Sequence, residues 1–190
     1  MYPLLLENDY DFSLLDVAPV VYVSDIDETY LRTRFRTPLE MFETAIQFAI
    51  DKVAYPDMSR FFRLVKRDRG RVLYFLSASP LQMRGVLRRK FLLDEVPCDG
   101  LILRDVGRLL VRGAWREVGN PLGYKIYALL TLIARLPIGS RLVLLGDDTQ
   151  RDAEAYGALS AYFEGTHDLA ALRRLLAAER ISAAHIDGIT

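Results

Sequence analysis

The sequence contains very little cysteine and very little histidine. Cys98 is its single cysteine among 190 residues, and His167 and His185 are its two histidines. One cysteine excludes an internal disulfide framework and a cysteine-rich zinc module, and it is consistent with a reducing compartment. The two histidines lie far from the predicted strand ends, so they do not indicate a metal site or a catalytic imidazole.

Long apolar runs are also absent. The longest apolar stretch with a helical pattern covers residues 126–134 and ends at Arg135. A helix needs about 18 to 20 apolar residues to cross a bilayer, so no transmembrane segment is predicted. The amino-terminal residues reach an acid after a short apolar stretch without a basic leader, so we expect no secretory signal. These features predict a soluble, cytoplasmic protein.

An excess of charge of either sign is missing as well. Lys and Arg number 25, as do Asp and Glu, which gives a net charge of zero. This balance excludes a nucleic-acid binder that relies on overall basicity and argues against a disordered acidic tail. Locally, however, residues 60–90, the basic segment, carry ten basic side chains and one acid. The basic segment is either two solvated helix faces or a patch for anionic headgroups and substrates.

The chain length and an apolar content of 51% predict a single domain over residues 1–190. Short β-branched runs alternate with amphipathic stretches, which indicates an α/β fold. We expect a doubly wound, mostly parallel sheet of about five strands, with helices on both faces and a small helical insertion near residues 30–70. Strands are predicted near residues 20–23, 72–76, 101–103, 142–145 and 162–163. Helices are predicted near residues 37–54, 57–70, 80–90, 120–136, 153–159 and 168–179, with Ser79 as a cap and a hairpin within 106–119.

Polar side chains follow several of the predicted strands. They are Asp25 and Asp27 after the first strand, Ser77 after the second, Lys125 in the helix after the third, and Asp147, Asp148 and Asp152 after the fourth. The carboxyl ends of parallel strands are where open α/β sheets bind ligands. Clustered carboxylates repel one another unless a cation lies among them, and hard oxygen ligands favour Mg²⁺.

These side chains suit phosphoryl transfer. Asp25 is free to attack phosphorus and form an aspartyl-phosphate, while Asp27 donates and accepts protons. Lys125 and Mg²⁺ would neutralise the phosphoryl oxygens, Ser77 would hydrogen-bond to one of them, and water would complete the hydrolysis.

The residues 25–29 read Asp-Ile-Asp-Glu-Thr and, with Ser77, Lys125 and the acidic residues from Asp147 to Asp152, they resemble the motifs of the haloacid dehalogenase superfamily. Within it, the chain is similar to the catalytic domain of the actin-patch phosphatidate phosphatase and its bacterial relatives. The finer matches are residues 56–58, 73–80, 101–105 and 146–156, and the resemblance covers about residues 19–165. It implies a Rossmann-like core and a Mg²⁺-dependent, aspartate-based phosphatase.

The resemblance also implies roles for individual residues. Asp25 would be the nucleophile and a metal ligand, and Asp27 would be the general acid and base, with its backbone carbonyl on the metal. Asp147 would complete the protein ligands, and Asp152 would orient Lys125 or a metal-bound water. Thr29 belongs to the same motif and would support it. Glu28, Ala78, Tyr124 and the pair Asp148–Thr149 depart from the usual pattern, and Asp148 is either a metal ligand or a turn acid.

The substrate is less defined than the reaction. Arg32, Arg34 and Arg36 follow the nucleophile motif and are candidate contacts for the substrate phosphate, because Arg binds phosphate bidentately. A lipid phosphate such as phosphatidate, with peripheral contact to a membrane surface, and a small soluble phosphate ester both remain open. Two alternatives are a nucleic-acid end-processing phosphatase that uses the basic segment, with nucleic acid the less favoured partner, and a non-catalytic phosphate-binding scaffold. The presence of Asp25 and Asp27 argues against the scaffold.

Overall fold

The structure, a computed structural model, describes residues 2–27, 29–31, 54–147, 151–179 and 181–187. Several predictions concern residues outside these ranges, so they stay predictions. They are the helix over residues 37–53, the phosphate contacts Arg32, Arg34 and Arg36, and the role of Asp148.

Five strands form one sheet in the order β1-β4-β3-β2-β5. The strands are β1 (Leu4–Asn8), β2 (Val20–Asp25), β3 (Arg71–Pro80), β4 (Gly100–Arg104) and β5 (Arg141–Leu145). The helices in the described ranges are α1 (Pro56–Val65), α2 (Arg84–Leu93), α3 (Val106–Val111), α4 (Trp115–Val118), α5 (Pro121–Ile133), α6 (Asp152–Phe163), α7 (Leu169–Ala178) and α8 (Ala183–Ile186). Strand β1 is antiparallel to β4, and the other pairs are parallel. This confirms the predicted α/β fold with a mostly parallel sheet of five strands.

The fifth strand is not the predicted one. Tyr162 and Phe163 are the last two residues of α6, which ends where Gly165 adopts a φ of 75°. Helix α6 buries Ala155 and Leu159, which are four residues apart, so its helical period continues through Tyr162. The fifth strand is instead β1, which forms the edge of the sheet opposite β5, where Leu4 to Asn8 pair with β4.

The predicted hairpin in residues 106–119 is also wrong, because α3 and α4 occupy this stretch. Asp105 caps α3, since its side chain accepts a hydrogen bond from the backbone N–H of Arg108. A short polar side chain that satisfies a free N–H of the first turn favours a helix over an extended hairpin. The cap at Asp105 therefore favours a helix in this stretch, although its composition is typical of a loop.

Side chains of the central strand alternate between two hydrophobic clusters. Val72 and Leu76 of β3 belong to one cluster together with α5, α6 and α7, whereas Leu73 and Phe75 belong to the other with α1 and α2. Successive residues of a strand point to opposite faces of a sheet, so helices cover both faces.

The described helices are short: none combines the length and the apolar composition that a bilayer span requires.

A buried arginine at the end of β4 connects the amino-terminal segment and α4 to α5. Arg104 is 1% exposed at the end of β4, and its guanidinium donates hydrogen bonds to Tyr2 Oη (2.6 and 3.0 Å) and to Val118 O (2.9 Å). The guanidinium carbon also lies 5.2 Å from the ring centroid of Tyr124. Arg104 therefore ties the amino-terminal segment, α4 and α5 together, and α5 carries Lys125.

Cys98 is half-buried, and we expect it to react slowly with thiol reagents. Its Sγ lies 3.3 Å from Gly100 O, and burial raises the pKa of the thiol to about 12, although Arg88 lowers it. A thiol with this pKa forms about 10³-fold less thiolate at pH 8 than a free cysteine. Labelling with a chromogenic disulfide should therefore be at least about 100-fold slower in the folded protein than in guanidinium chloride. Equal rates in the two conditions would contradict this prediction.

Candidate active site

The predicted site residues meet at one edge of the sheet. Asp25 is the last residue of β2, Ser77 lies near the end of β3, and Asp147 follows β5 by two residues. Because β2 lies between β3 and β5, these three side chains come from adjacent, parallel strand ends. The carboxyl edge of the sheet therefore collects residues that are far apart in the sequence.

Lys125 connects two of the carboxylates. Its Nζ lies 2.8 Å from Asp25 Oδ1 and also contacts Asp152 Oδ1. Lys125 is fully buried in α5. This helix begins after Asn120, whose side chain accepts a hydrogen bond from the backbone N–H of Gly123. A solvated helix lysine would be exposed, so Lys125 belongs instead to this buried group of charges.

Three carboxylates form an acidic cluster. Asp25, Asp147 and Asp152 each offer one oxygen, and these oxygens lie within 4.8 Å of one another. Asp152 begins α6, and its Oδ2 accepts a hydrogen bond from the backbone N–H of Asp147 at 3.2 Å. Gly146 allows this approach, because a Cβ at this position would lie 2.4 Å from Asp152 Oδ2. Asp152 thus contacts Lys125 and also belongs to the cluster.

The cluster carries a surplus of buried negative charge. Burial raises the pKa of Asp25 well above its usual value; Lys125 opposes this shift, and Asp152 and Asp27 add to it. Burial likewise raises the pKa of Asp152, against the effect of Lys125. The pKa of Lys125 is raised although burial lowers it, because Asp25 and Asp152 favour the ammonium. One cation therefore faces two carboxylates in direct contact.

The donor set fits a hard divalent cation. Asp25 Oδ2 is buried and has no hydrogen-bond partner among the residues that the structure describes. Oxygen ligands without imidazole or thiolate are the set that Mg²⁺ prefers. A divalent cation would also offset the repulsion among these carboxylates, which adds to the effect of burial on the pKa of Asp25.

Asp27 contacts hydroxyl groups of β3. Its Oδ2 accepts hydrogen bonds from Ser77 Oγ at 3.2 Å and from Ser79 Oγ at 3.4 Å, and Asp27 is 4% exposed. Thr29, the last residue of the motif, places its Oγ1 in a buried position two residues further along. The two carboxylates of the motif thus have different partners: Lys125 for Asp25 and serines for Asp27.

Ser79 and Tyr124 make contacts with Asp27 and Ser77 that the sequence did not indicate. The prediction that Ser79 caps the next helix is wrong, because a 3-10 turn at Leu81–Met83 precedes α2 and has Pro80 at its cap position. Tyr124 donates a hydrogen bond of 2.8 Å from its hydroxyl to Ser77 O. The two-residue period of a strand could have placed Ser79 on the same face as Ser77. Nothing in the sequence indicated the Tyr124 contact.

Comparison with known proteins shows a family match over most of the chain. Residues 20–174 match a family model described as phosphatidate phosphatase APP1, catalytic domain. An uncharacterized protein of Schizosaccharomyces pombe is 29% identical over 154 residues, which are 79% of this chain and 24% of that protein. The chain therefore spans about a quarter of the length of this curated relative.

One solved structure shares the fold of most of this chain. A chain in the structure of the Pnkp1/Rnl/Hen1 RNA repair complex has a TM-score of 0.53 and 18% identity, and the match covers 78% of this chain and 40% of that one. A chain in another structure of the Pnkp1/Rnl/Hen1 complex has a TM-score of 0.39 and 19% identity, with coverage of 47% and 29%. At these identities, the first likeness concerns the fold alone.

Proposed function

The chain belongs to the family of phosphatidate phosphatase APP1 catalytic domains, and from this membership we propose that it is a Mg²⁺-dependent phosphomonoesterase with Asp25 as nucleophile. The family indicates a phosphatase, which is a hydrolase. A Rossmann-like, doubly wound single domain of the haloacid dehalogenase type is part of the same proposal. The observation that carries it is the buried Asp25, which contacts Lys125 through Oδ1 and lies beside Asp147 and Asp152.

In the first step, a carboxylate oxygen of Asp25 attacks the phosphorus of the ester. A bond from this oxygen to phosphorus forms while the bond from phosphorus to the leaving oxygen breaks. Asp27 donates a proton to that leaving oxygen. Lys125 holds Asp25 Oδ1 at 2.8 Å, which orients the carboxylate. Burial of Asp25 limits the access of water before the substrate binds.

In the second step, water releases the phosphate. The water oxygen attacks phosphorus, Asp27 accepts a proton from the water, and the bond between phosphorus and Asp25 breaks. Inorganic phosphate leaves and Asp25 is again a carboxylate. The ammonium of Lys125 and the hydroxyl of Ser77 are the groups that would bind phosphoryl oxygens in both steps.

The magnesium site would be built from the acidic cluster. Asp25 and Asp147 would hold the ion through their side chains and Asp27 through its backbone carbonyl, while Asp152 would orient Lys125 and join the cluster. When bound, Mg²⁺ supplies positive charge that neutralises phosphoryl oxygens. The buried, unpaired Asp25 Oδ2 supports this site among the described residues.

The basic segment is less positive than its composition indicates. Among the residues that the structure describes, five of its ten basic side chains form ion pairs with acids: Lys66 with Asp99, Arg71 with Asp68, Arg84 with Glu7, Arg88 with Glu7 and Asp9, and Lys90 with Asp94. Residues 66–71 also lie at the amino end of β3, about 20 Å along the strand from Ser77. This placement favours substrate recognition by other groups near the carboxyl edge.

The proposed substrate is a phosphomonoester, either a lipid phosphate such as phosphatidate at a membrane surface or a small soluble ester. The family description supports the lipid phosphate. Phosphorylated ends of nucleic acids are a second candidate, because a solved structure with a similar fold is described as an RNA repair complex. The position of residues 66–71 argues against this part of the basic segment as the groove for such a strand.

A phosphate-release screen tests the proposal and separates these substrates. We expect Mg²⁺-dependent release from at least one of four classes: phosphatidate in mixed micelles, sugar phosphates, nucleotides and 5′-phosphorylated oligonucleotides. Removal of Mg²⁺ with EDTA should stop the reaction, and its restoration should recover it. Absence of release from every class, or full activity in EDTA, would overturn the proposed function.

A further inference from the structure

Strand β3 is irregular where it enters the site. Ser77 pairs with Leu103 of β4, but the next pair joins Pro80 to Arg104, so residues 78 and 79 have no counterpart on β4. Extra residues in one strand bend it and re-aim side chains, and such irregularities are common beside active sites. Here Ser79, one of the two residues without a counterpart, contacts Asp27.

Ser79 contacts both neighbouring polar groups of the site. Its Oγ lies 3.4 Å from Asp27 Oδ2, and its backbone N–H donates to Ser77 Oγ at 3.0 Å. Ser79 is 9% exposed and is thus nearly enclosed. Two serines therefore hold one oxygen of Asp27, and the backbone of Ser79 also orients Ser77.

A hydroxyl group has a single proton to donate. In the described arrangement, Ser77 donates this proton to Asp27 Oδ2 at 3.2 Å. When Ser77 turns its proton to a phosphoryl oxygen, it can no longer donate to Asp27. Ser79 then keeps a hydrogen bond on Oδ2 during the step in which Asp27 transfers its proton.

We propose that Ser79 is a positioning residue, which holds the Asp27 carboxyl group in place for proton transfer while Ser77 binds the phosphoryl group. This inference rests on the proposed function, in which Asp27 is the general acid and base. Ser79 itself touches neither the phosphorus nor the leaving oxygen. Its contribution should be greatest where the leaving group needs a proton, because a misplaced acid slows such reactions most.

The test compares two esters with different leaving groups. An alkyl phosphate needs a proton on its leaving oxygen, whereas 4-nitrophenyl phosphate releases a stable phenolate without one. We measure kcat/KM, which reports the steps up to loss of the leaving group. Ser79→Ala should lower kcat/KM about tenfold for the alkyl ester and less than about twofold for 4-nitrophenyl phosphate.

Two further variants separate positioning from a general structural effect. Ser79→Thr keeps the hydroxyl and should bring kcat/KM for the alkyl ester to within about threefold of wild type. Ser160→Ala removes an exposed hydroxyl that contacts Glu164 on α6, and it should leave both values unchanged. If Ser79→Ala fails to fold, Ser79→Cys, which has a weaker donor of similar size, enters the same comparison.

The outcomes distinguish this inference from the proposed function. Equal losses on both esters, an unchanged alkyl value in Ser79→Ala, or no recovery in Ser79→Thr would overturn the positioning role and leave the phosphatase intact. A wild-type protein without activity on any ester would overturn the proposed function and the positioning role together.

Discussion

Asp25→Asn should abolish phosphate release, with a loss of at least about 10³-fold on every substrate that the wild-type protein hydrolyses. The amide has nearly the same shape as the carboxylate but is a very poor nucleophile, so no aspartyl-phosphate forms. The side chain is 1% exposed and lies against Lys125. Because asparagine has nearly the same shape as aspartate, the substitution preserves the packing around this position. The measurement is phosphate release under the conditions of the substrate screen. Asp16→Asn, which changes an exposed acid before β2, is the matched control and should retain full activity.

Thermal unfolding gives a second readout of Asp25→Asn that does not depend on activity. Without Mg²⁺, the variant should be as stable as wild type or more stable, because it removes a buried charge that Asp152 and Asp27 repel. With Mg²⁺ at about 100 times its Kd, bound metal stabilises wild type by about 2.7 kcal/mol, which corresponds to about 5 °C or more in Tm. The variant should lose most of this shift. Retained activity would refute the nucleophile, and an undiminished Mg²⁺ shift would refute Asp25 as a ligand.

Lys125→Met should strongly destabilise the metal-free protein, by about 3 kcal/mol, as well as inactivate it. Lys125 is fully buried, and its removal leaves Asp25 and Asp152 without the ammonium that both contact. Removal of one partner of a buried ion pair leaves an uncompensated charge, which is costlier than loss of an exposed pair. Protonation of one carboxylate limits the cost. Chemical unfolding in urea, with and without Mg²⁺, provides the measurement.

Two companion variants make this result specific. Lys125→Met combined with Asp152→Asn should recover part of the lost stability, because it removes one of the two stranded charges. Arg71→Gln breaks an exposed ion pair with Asp68 and should change the free energy of unfolding by less than about 1 kcal/mol. A Lys125→Met protein as stable as the Arg71→Gln protein would show that the buried ammonium does not compensate the acidic cluster.

Strong local signals predicted the central elements of the fold. The apolar runs at residues 20–23, 72–76, 101–103 and 142–145 all lie in strands β2 to β5, because runs of this type suit strands covered on both faces. The weaker signals failed where tertiary contacts or capping competed with composition. Tyr162 and Phe163 look like a short strand but continue α6, and residues 4–8 acquire strand structure by pairing with β4.

Some contacts in and around the candidate site were likewise predictable from the sequence, and others were not. The placement of Asp25, Ser77 and Asp147 at one edge was predictable, because each lies near or just after the end of a strand with a strong apolar pattern, and parallel strands end at one edge. The contact of Ser79 with Asp27 was not, although the two-residue period of a strand could place Ser79 on the face of Ser77, because it lies where the pairing of β3 with β4 is irregular. Arg104 was not either, because its partners Tyr2 and Val118 come from opposite sides of its position in the chain.

The sequence by itself determined which chemical groups this protein can gather at the carboxyl edge of its sheet. The order of strands and the residues that follow them are local properties, so carboxylates, a serine and a lysine could be assigned to one edge of an α/β sheet. Only the tertiary structure decided how these groups pair: Lys125 with Asp25 and Asp152, and Asp27 with Ser77 and Ser79. It also pairs several basic side chains of the basic segment with acids that include Glu7 and Asp99. The physical reason is that ion pairs and hydrogen bonds depend on distance and burial, which arise only when separate elements pack together.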